Sequence, residues 1–168
     1  MARQHVAILW SLRNKREWSM NKQNTDQFYT EFPQLYRGAD DGKMYWVFCC
    51  GDGWFDLIYQ LSVSIETELK AIGFEPSSQS WPIVSQVKEK FGTLCYYMQF
   101  PVIENAEEHQ DVTSADVEIP DEVINKIRQL IGEAEVKSVT TCEECGLPGD
   151  LKNEGWWHTS CSVCEAMR

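Results

Sequence analysis

The chain has 168 residues, a formal net charge of −11 at pH 7 and seven tryptophans. This length predicts one domain with a small appendage, and the apolar content excludes a disordered chain. No apolar stretch approaches the roughly 20 residues that a membrane helix needs. Seven cysteines, an odd number, without a recognisable secretory leader favour a reducing cytoplasm over a disulfide framework.

The charge is unevenly distributed along the chain. Residues 1–43 hold seven Lys and Arg against five Asp and Glu, whereas residues 44–168 hold eight against twenty-one. An acidic surface repels phosphate backbones, so this balance argues against nucleic acid as a partner. It allows docking on a protein with a basic surface, and the alternative is that the acidity only keeps the protein soluble.

Residues 1–25 are expected to form an N-terminal extension. The first 19 residues hold four Lys and Arg and a single acid, unlike the rest of the chain. Met20 then opens a polar stretch with the composition of a natural start. The alternative is an ordinary N-terminal helix, whose apolar face would consist of Val6, Leu9, Trp10 and Leu12.

Residues 26–103 are expected to form an α+β core. A run of strand composition at 44–50 leads into Gly51-Asp52-Gly53-Trp54, where Asp52 is expected to be the N-cap of a helix. Apolar residues at steps of three or four predict that long amphipathic helix, with Gly73 as its stop. The apolar positions are Trp54, Ile58, Leu61, Ile65, Leu69 and Ile72.

The next elements are predicted to be a β-hairpin and a second helix. Strands at 83–88 and 93–100 should meet at a tip near Phe91-Gly92, with alternate residues of the second strand facing the core. Residues 104–119 form an acidic linker, and a helix beginning near Pro120 leads into the C-terminal segment. The predicted inward residues are Leu94, Tyr96, Met98 and Phe100 in the strand, and Ile124, Ile127, Leu130, Ile131 and Ala134 in the helix.

Four cysteines near the C-terminus have the spacing of a zinc site. Cys142 and Cys145 are separated by two residues, as are Cys161 and Cys164, with fifteen residues between the pairs. Four thiolates close the coordination shell of zinc, which predicts a structural ion. The alternatives are two disulfides, free thiols, or a site in which His158 replaces a cysteine of the second pair. If His158 is not a ligand, we expect it to be partly exposed or to donate a hydrogen bond to a thiolate.

The sequence offers only a weak catalytic set. It contains no glycine-rich phosphate loop, and none of its three histidines follows an obvious nucleophile. Asp52 and Asp56 can form a carboxylate pair, and Lys88 and Lys90 supply cations for a site near them. A capping residue and a solvent-facing acid explain both aspartates equally well.

Five residues are candidates for contact with a partner. Lys88, Lys90 and Phe91 form a basic, aromatic hairpin tip, although lysines at a sheet edge also discourage aggregation. Trp156 and Trp157 are adjacent, so we expect one to pack on the second helix and the other to be exposed as an interface anchor.

Three segments resemble a group of small proteins of phages and bacterial prophages. These are Gly51-Asp52-Gly53-Trp54-Phe55, the stretch from Gln86 to Leu94, and a helix ending in Cys142-Glu143-Glu144-Cys145-Gly146. The resemblance covers roughly residues 28–168, and we associate no established activity with the group. It implies a phage accessory protein in the host cytoplasm.

The sequence therefore predicts an α+β fold in four parts: extension 1–25, core 26–103, linker 104–119, and helix plus zinc knuckle 120–168. In the core, a long amphipathic helix packs on a small antiparallel hairpin or sheet. The first functional hypothesis is a zinc-binding adaptor or inhibitor that acts by protein–protein interaction. The alternatives are a nucleic-acid-binding zinc ribbon and an enzyme with a site near Asp52, Asp56, Lys88 and Lys90.

Overall fold

The structure is a computed structural model that describes residues 19–38, 47–78, 80–100 and 119–168. It confirms the α+β class. Most of the predicted N-terminal extension and nearly all of the acidic linker lie outside the described residues. The elements are α1 (Lys22–Glu31), β1 (Phe48–Cys49), a 3-10 helix (Asp52–Trp54), α2 (Phe55–Ala71), β2 (Ile83–Lys90), β3 (Thr93–Gln99), α3 (Asp121–Ser138), β4 (Asp150–Lys152), β5 (His158–Ser160) and α4 (Ser162–Ala166).

Helix α1 is fixed at its start by a side chain from a distant turn. Asn21 caps the helix by accepting from the N–H of Asn24 at 2.9 Å. Asp52 Oδ1 in turn accepts from Asn21 N at 2.9 Å, Asn21 Nδ2 at 2.8 Å and Asn24 Nδ2 at 2.9 Å. Met20 is buried beside it, and α1 crosses the predicted boundary at residue 25.

The predicted capping role of Asp52 is therefore wrong. Asp52 is the first residue of the 3-10 helix, and α2 begins after Trp54 without a side-chain cap. The tight 3-10 turn leads directly into the α-helix, so the Asp52 carboxylate is left to hold the start of α1 instead.

The apolar stripe of α2 is confirmed except at its end. Five of the six predicted residues are buried, but Ile72 is exposed. Helix α2 ends at Ala71, and Gly73 turns the chain with φ +74 while donating its N–H to Lys70 O. Ile72 therefore lies in a turn, where the helical spacing no longer directs its side chain inward.

The hairpin is confirmed and belongs to a three-stranded sheet. Strand β1 pairs in parallel with β2, and β2 pairs antiparallel with β3. The tip residues Phe91 and Gly92 both have positive φ, 54° and 76°, as the two-residue turns of hairpins require. The strand predicted over 44–50 is reduced to Phe48–Cys49 in the described residues.

Helix α3 packs on α2 and along β3. Ser138 Oγ accepts from Leu94 N at 2.9 Å, and Glu135 Oε1 accepts from Tyr96 N at 3.3 Å. The helix thereby satisfies donors on the open edge of the sheet, which would otherwise invite strand addition. Ile127 and Ala134 are buried as predicted, Val123 is an additional buried residue, and the other three predicted residues are half-buried.

The core joins these layers through aromatic rings and a buried hydroxyl cluster. Phe28 of α1 stacks on Phe48 of β1 with ring centroids 4.7 Å apart. The Tyr36 hydroxyl lies 2.8 Å from Ser62 Oγ of α2 and 3.2 Å from the Tyr96 hydroxyl of β3. In the part of the chain that the structure describes, no helix has both the length and the apolarity to cross a membrane.

Candidate metal centre

The four predicted cysteines lie together after helix α3. Their sulfur atoms are all within 4.8 Å of one another, and Cys145 Sγ lies 3.6 Å from Cys161 Sγ. A tetrahedral site with Zn–S bonds of about 2.3 Å has sulfurs about 3.8 Å apart, whereas a disulfide needs about 2.05 Å. The sulfur–sulfur distance between the first half of the knuckle, which holds Cys142 and Cys145 (the first knuckle), and the second half, which holds Cys161 and Cys164, thus fits four thiolates around one ion better than a disulfide. Such a set can hold a metal ion in a closed shell.

Local backbone geometry directs each pair of sulfurs. In the first pair, the N–H of Gly146 donates to Cys142 O at 2.9 Å, and φ of +75° at Gly146 completes the turn. In the second pair, Cys161 caps α4 and its sulfur accepts from the N–H of Cys164 at 3.4 Å. This backbone hydrogen bond lowers the pKa of the Cys161 thiol to about 7, whereas burial raises the pKa of the Cys164 thiol.

The first knuckle is bonded to the turn that precedes α2. Glu143 O accepts from Gly53 N at 2.7 Å, and Glu143 Oε1 accepts from Gly51 N at 2.9 Å. The Trp54 indole N–H donates to Thr141 O at 2.8 Å. Burial raises the pKa of the Glu143 carboxyl to about 7, although the Gly51 N–H opposes that shift. The knuckle is therefore joined to the core by hydrogen bonds.

Two glycines make this contact possible. A Cβ at Gly53 would lie less than 3.0 Å from backbone atoms of Cys142, Cys145 and Gly146, and a Cβ at Gly51 would collide with Glu143 O. Sequence reasoning missed this role. The signal is the pair of glycines around Asp52: two glycines so close together indicate a close approach of two backbones as well as a helix start.

The second contact is made by the hairpin tip. Thr159 is fully buried, and its Oγ1 donates to Gly92 O at 2.7 Å while its carbonyl accepts from Glu143 N at 3.0 Å. A Cβ at Gly92 would collide with Leu151. Strand β5 thus connects the hairpin tip to the first knuckle. The knuckle therefore packs against two segments, 51–54 and the hairpin tip.

His158 has other partners than the cysteine cluster. Its Nδ1 lies 2.7 Å from Trp156 O, and its Nε2 lies 2.8 Å from Glu165 Oε2. Hydrogen bonds from Ser160 and His158 lower the pKa of Glu165 to about 2. The expectation of a partly exposed His158 is wrong, because the side chain is only 8% exposed. These contacts orient β5 against α4, and they favour the four-sulfur set over a site that uses His158.

Both adjacent tryptophans are exposed. Trp156 is 67% and Trp157 is 45% exposed, so the expectation that one packs on helix α3 is wrong. Trp157 instead meets Phe91 of the hairpin tip edge-on, with centroids 6.4 Å apart. The knuckle lies against the hairpin tip, which places this loop beside Phe91.

The four residues of the enzyme hypothesis have ordinary structural contacts. Asp52 holds the start of α1, and Asp56 is exposed in the first turn of α2. Lys88 Nζ lies 2.8 Å from Gln86 Oε1 and 4.9 Å from the Tyr97 ring centre, and Lys90 Nζ lies 5.6 Å from the Phe91 ring centre. The two lysines, unlike the two aspartates, are therefore next to the exposed aromatic residues.

Comparisons with protein-family models, curated protein sequences and solved structures found no match.

Proposed function

We propose that this protein is a small zinc-binding accessory protein that acts by binding another protein. The observation that carries the proposal is the packing of the four-cysteine cluster between the turn at Gly53 and the hairpin tip at Gly92. A metal there stabilises a short segment that has little core of its own. The closed set of four sulfurs gives the ion a structural role rather than a catalytic one.

The proposed action rests on what that segment displays. Phe91, Trp156 and Trp157 are large exposed aromatic side chains, and Phe91 meets Trp157 edge-on; exposed aromatic residues of this kind often anchor protein interfaces. The resemblance to small phage and prophage proteins adds the context of an adaptor or inhibitor in the host cytoplasm. The acidic charge of residues 44–168 would dock on a host or phage protein with a basic surface.

Metal content tests the first part of the proposal. We expect about one zinc per chain, as four thiolates satisfy one ion, and we expect Cys145→Ser to lose it. Cys145 is the exposed thiol of the cluster, so its substitution leaves no cavity in the core. Cys95→Ser is the matched control, because Cys95 lies on β3 outside the cluster. A zinc-free protein, or disulfides among the four cysteines in non-reducing mass spectrometry, would contradict the proposal.

Partner capture tests the second part. Tagged protein should retain a specific host or phage protein from lysate, and raising the salt from about 0.05 to about 0.5 M should weaken retention by shortening the Debye length about threefold. Charge reversal at Glu107, Glu108 and Asp111 should weaken it as well. If neither higher salt nor charge reversal weakens retention, the partner does not bind through a basic surface, and that part of the proposal is wrong.

Nucleic-acid binding is the second candidate function. It is favoured by the proximity of Lys88 and Lys90 to exposed aromatic rings, since cations beside stacking platforms are typical of single-strand binding. The net charge of −11 opposes it. Binding of an oligonucleotide at physiological salt, abolished by Lys88→Ala with Lys90→Ala, would favour this candidate over the adaptor.

A further inference from the structure

The surface where the hairpin tip meets the knuckle combines exposed aromatic rings with two cations. We call it the tip surface and define it by Lys88, Lys90, Phe91, Trp156 and Trp157. Phe91 is 66% exposed, comparable to Trp156, and Lys90 Nζ lies over its ring. A cluster of exposed large aromatic residues on a soluble domain marks a contact site more often than an ordinary surface does.

The backbone beneath the tip surface is held by hydrogen bonds on both sides of Gly92. Gly92 N donates to Glu89 Oε1 at 2.5 Å, and Gly92 O accepts from the buried Thr159 hydroxyl. Phe91 has φ of 54°, a left-handed conformation that is uncommon for a bulky residue. Such backbone conformations persist where surrounding contacts enforce them, and they cluster at functional sites. The aromatic ring of Phe91 is thus presented on a preorganised backbone, which lowers the entropic cost of binding.

The lysines occupy the open face of the sheet. Side chains alternate along β2, so Lys88 and Lys90 share one face, and they pair with Cys95 and Thr93 of β3. The described strands β1 to β3 carry no carboxylate on that face, because Glu89 points to the other side with Val87. The two lysines therefore lie about 7 Å apart along the strand, with no strand carboxylate on their face.

The knuckle side of the tip surface has a different charge. Glu154 precedes the tryptophans in the loop, and Asp150 is already paired with Lys152 at 3.5 Å, so residues 150–154 carry one net negative charge. A nucleic-acid strand stacked on Trp156 and Trp157 would bring its phosphates towards the Glu154 carboxylate. A peptide can instead place its charges on the lysines and an uncharged anchor on the aromatic rings. The charge pattern thus favours a peptide over a nucleic acid.

We propose that the tip surface binds an extended acidic protein segment with two carboxylates one residue apart and a bulky apolar residue next to them. In an extended chain, side chains two positions apart are also about 7 Å apart, which matches Lys88 and Lys90. The apolar anchor contacts Phe91 and Trp157. This inference rests on the proposed function. It adds a second, positively charged contact at the tip surface to the contact that the acidic surface makes with a basic partner.

The test is a direct binding titration with the full-length, zinc-loaded protein. The probe is a fluorescein-labelled synthetic peptide, Gly-Ser-Glu-Ser-Glu-Leu-Leu-Gly, followed by fluorescence anisotropy. We expect saturable binding that weakens about tenfold with Lys88→Glu and Lys90→Glu together, a change typical of lost and reversed charge pairs. The matched control reverses Lys22 and Lys126, which changes the net charge equally on helices α1 and α3 and should alter the affinity less than about twofold.

A second variant tests the aromatic contact. Phe91→Asn removes the ring but keeps a residue that tolerates positive φ. It should lower the affinity for the peptide by a similar factor. Circular dichroism and zinc content must match the unsubstituted protein in both variants. A peptide in which Gln replaces both Glu residues should bind more weakly than the acidic one.

Three outcomes would overturn the inference. The first is no binding at peptide concentrations up to about 1 mM, which corresponds to the weakest dissociation constant of a specific complex. The second is equal binding of the Glu and Gln peptides. The third is binding of a twelve-nucleotide oligothymidine in place of the peptide, which would establish the nucleic-acid alternative. If the peptide fails while a captured partner protein is still lost on reversal of Lys88 and Lys90, the interaction function stands and only the acidic chemistry is wrong.

Discussion

At the scale of single residues, glycines decide how the cysteine knuckle meets the rest of the molecule. Gly51 and Gly53 let the backbone of the knuckle approach the turn before α2, and Gly92 does the same at the hairpin tip. The hydrogen bonds from Gly51 N and Gly53 N to Glu143 measure 2.9 and 2.7 Å. Any side chain at these positions would separate the donors from the acceptors.

Gly53→Ala should therefore weaken both folding and metal binding. The added Cβ collides with three backbone atoms, which cannot move as a flexible side chain can. We expect a loss of stability of about 2 kcal/mol or more, as for other changes that overpack a buried contact. Gly132→Ala is the matched control, because nothing lies within 4 Å of its Cβ position in α3. That change should stabilise the protein by about 0.5–1 kcal/mol. Urea denaturation measures both, and equal midpoints would contradict the close-approach explanation.

The buried tyrosines predict the alkaline limit of stability. Burial raises the pKa of Tyr96 to about 12 and also raises that of Tyr36. The folded state thus favours the neutral phenols, so their contribution is complete below pH 10 and is lost as the pH rises from about 10 to about 12. The free energy of unfolding should fall in that window, and Tyr96→Phe should make the fall shallower. Identical slopes in the two proteins, measured by denaturant titration at several pH values, would contradict this assignment.

At the scale of elements, the two long helices and the hairpin complete one another. Helix α2 supplies an apolar stripe, and α3 covers both that helix and the edge of β3 with Ser138 and Glu135. The short strand β1 completes the sheet on its other side. Each element alone would expose either apolar side chains or unpaired backbone groups, so their stability depends on mutual packing.

Truncation within the α2 stripe should be costly. Ile65 is completely buried, and Ile65→Ala should lower the free energy of unfolding by about 2–5 kcal/mol, as cavity-forming substitutions do. Val63→Ala, on the exposed side of the same helix, should change it by no more than about 0.5 kcal/mol. The two variants differ in burial but share the helix, so chemical denaturation of both separates packing from helix propensity. Similar losses in the two would mean that the stripe is not the core.

At the scale of the whole molecule, the knuckle is connected to the core at two places. The turn from Gly51 to Trp54 binds its first half, and the hairpin tip binds strand β5. A metal in the cysteine cluster would therefore affect more than the last 30 residues. It would also hold Phe91 and Trp157 next to each other across the joint.

Metal removal should loosen the knuckle first and the adjacent core next. A strong chelator should increase amide hydrogen exchange over residues 139–168 and at Gly53, whose N–H donates to Glu143. Ile65 and Leu69, in the buried part of α2, should remain protected. The measurement is hydrogen exchange by mass spectrometry with and without chelator, at equal protein concentration. Unchanged exchange at Gly53 would show that the knuckle and the core are energetically independent.

The sequence by itself determined the features that depend on local periodicity and spacing. The α2 stripe, the stop at Gly73, the hairpin with its tip at Phe91-Gly92, and the grouping of Cys142, Cys145, Cys161 and Cys164 follow from helical period, strand alternation and metal-ligand spacing. These patterns are short in range, so neighbouring residues carry most of the information.

Only the tertiary structure decided which distant segments meet. It joined Asp52 to Asn21, the capping residue of α1, and it joined Gly51 and Gly53 to the knuckle, His158 to Glu165, and Trp157 to Phe91. These contacts join residues up to about ninety positions apart, and one polar or aromatic side chain can satisfy many alternative partners. The choice among those partners depends on how the elements pack, because only packing brings distant groups such as Gly51 and Glu143 within hydrogen-bond reach.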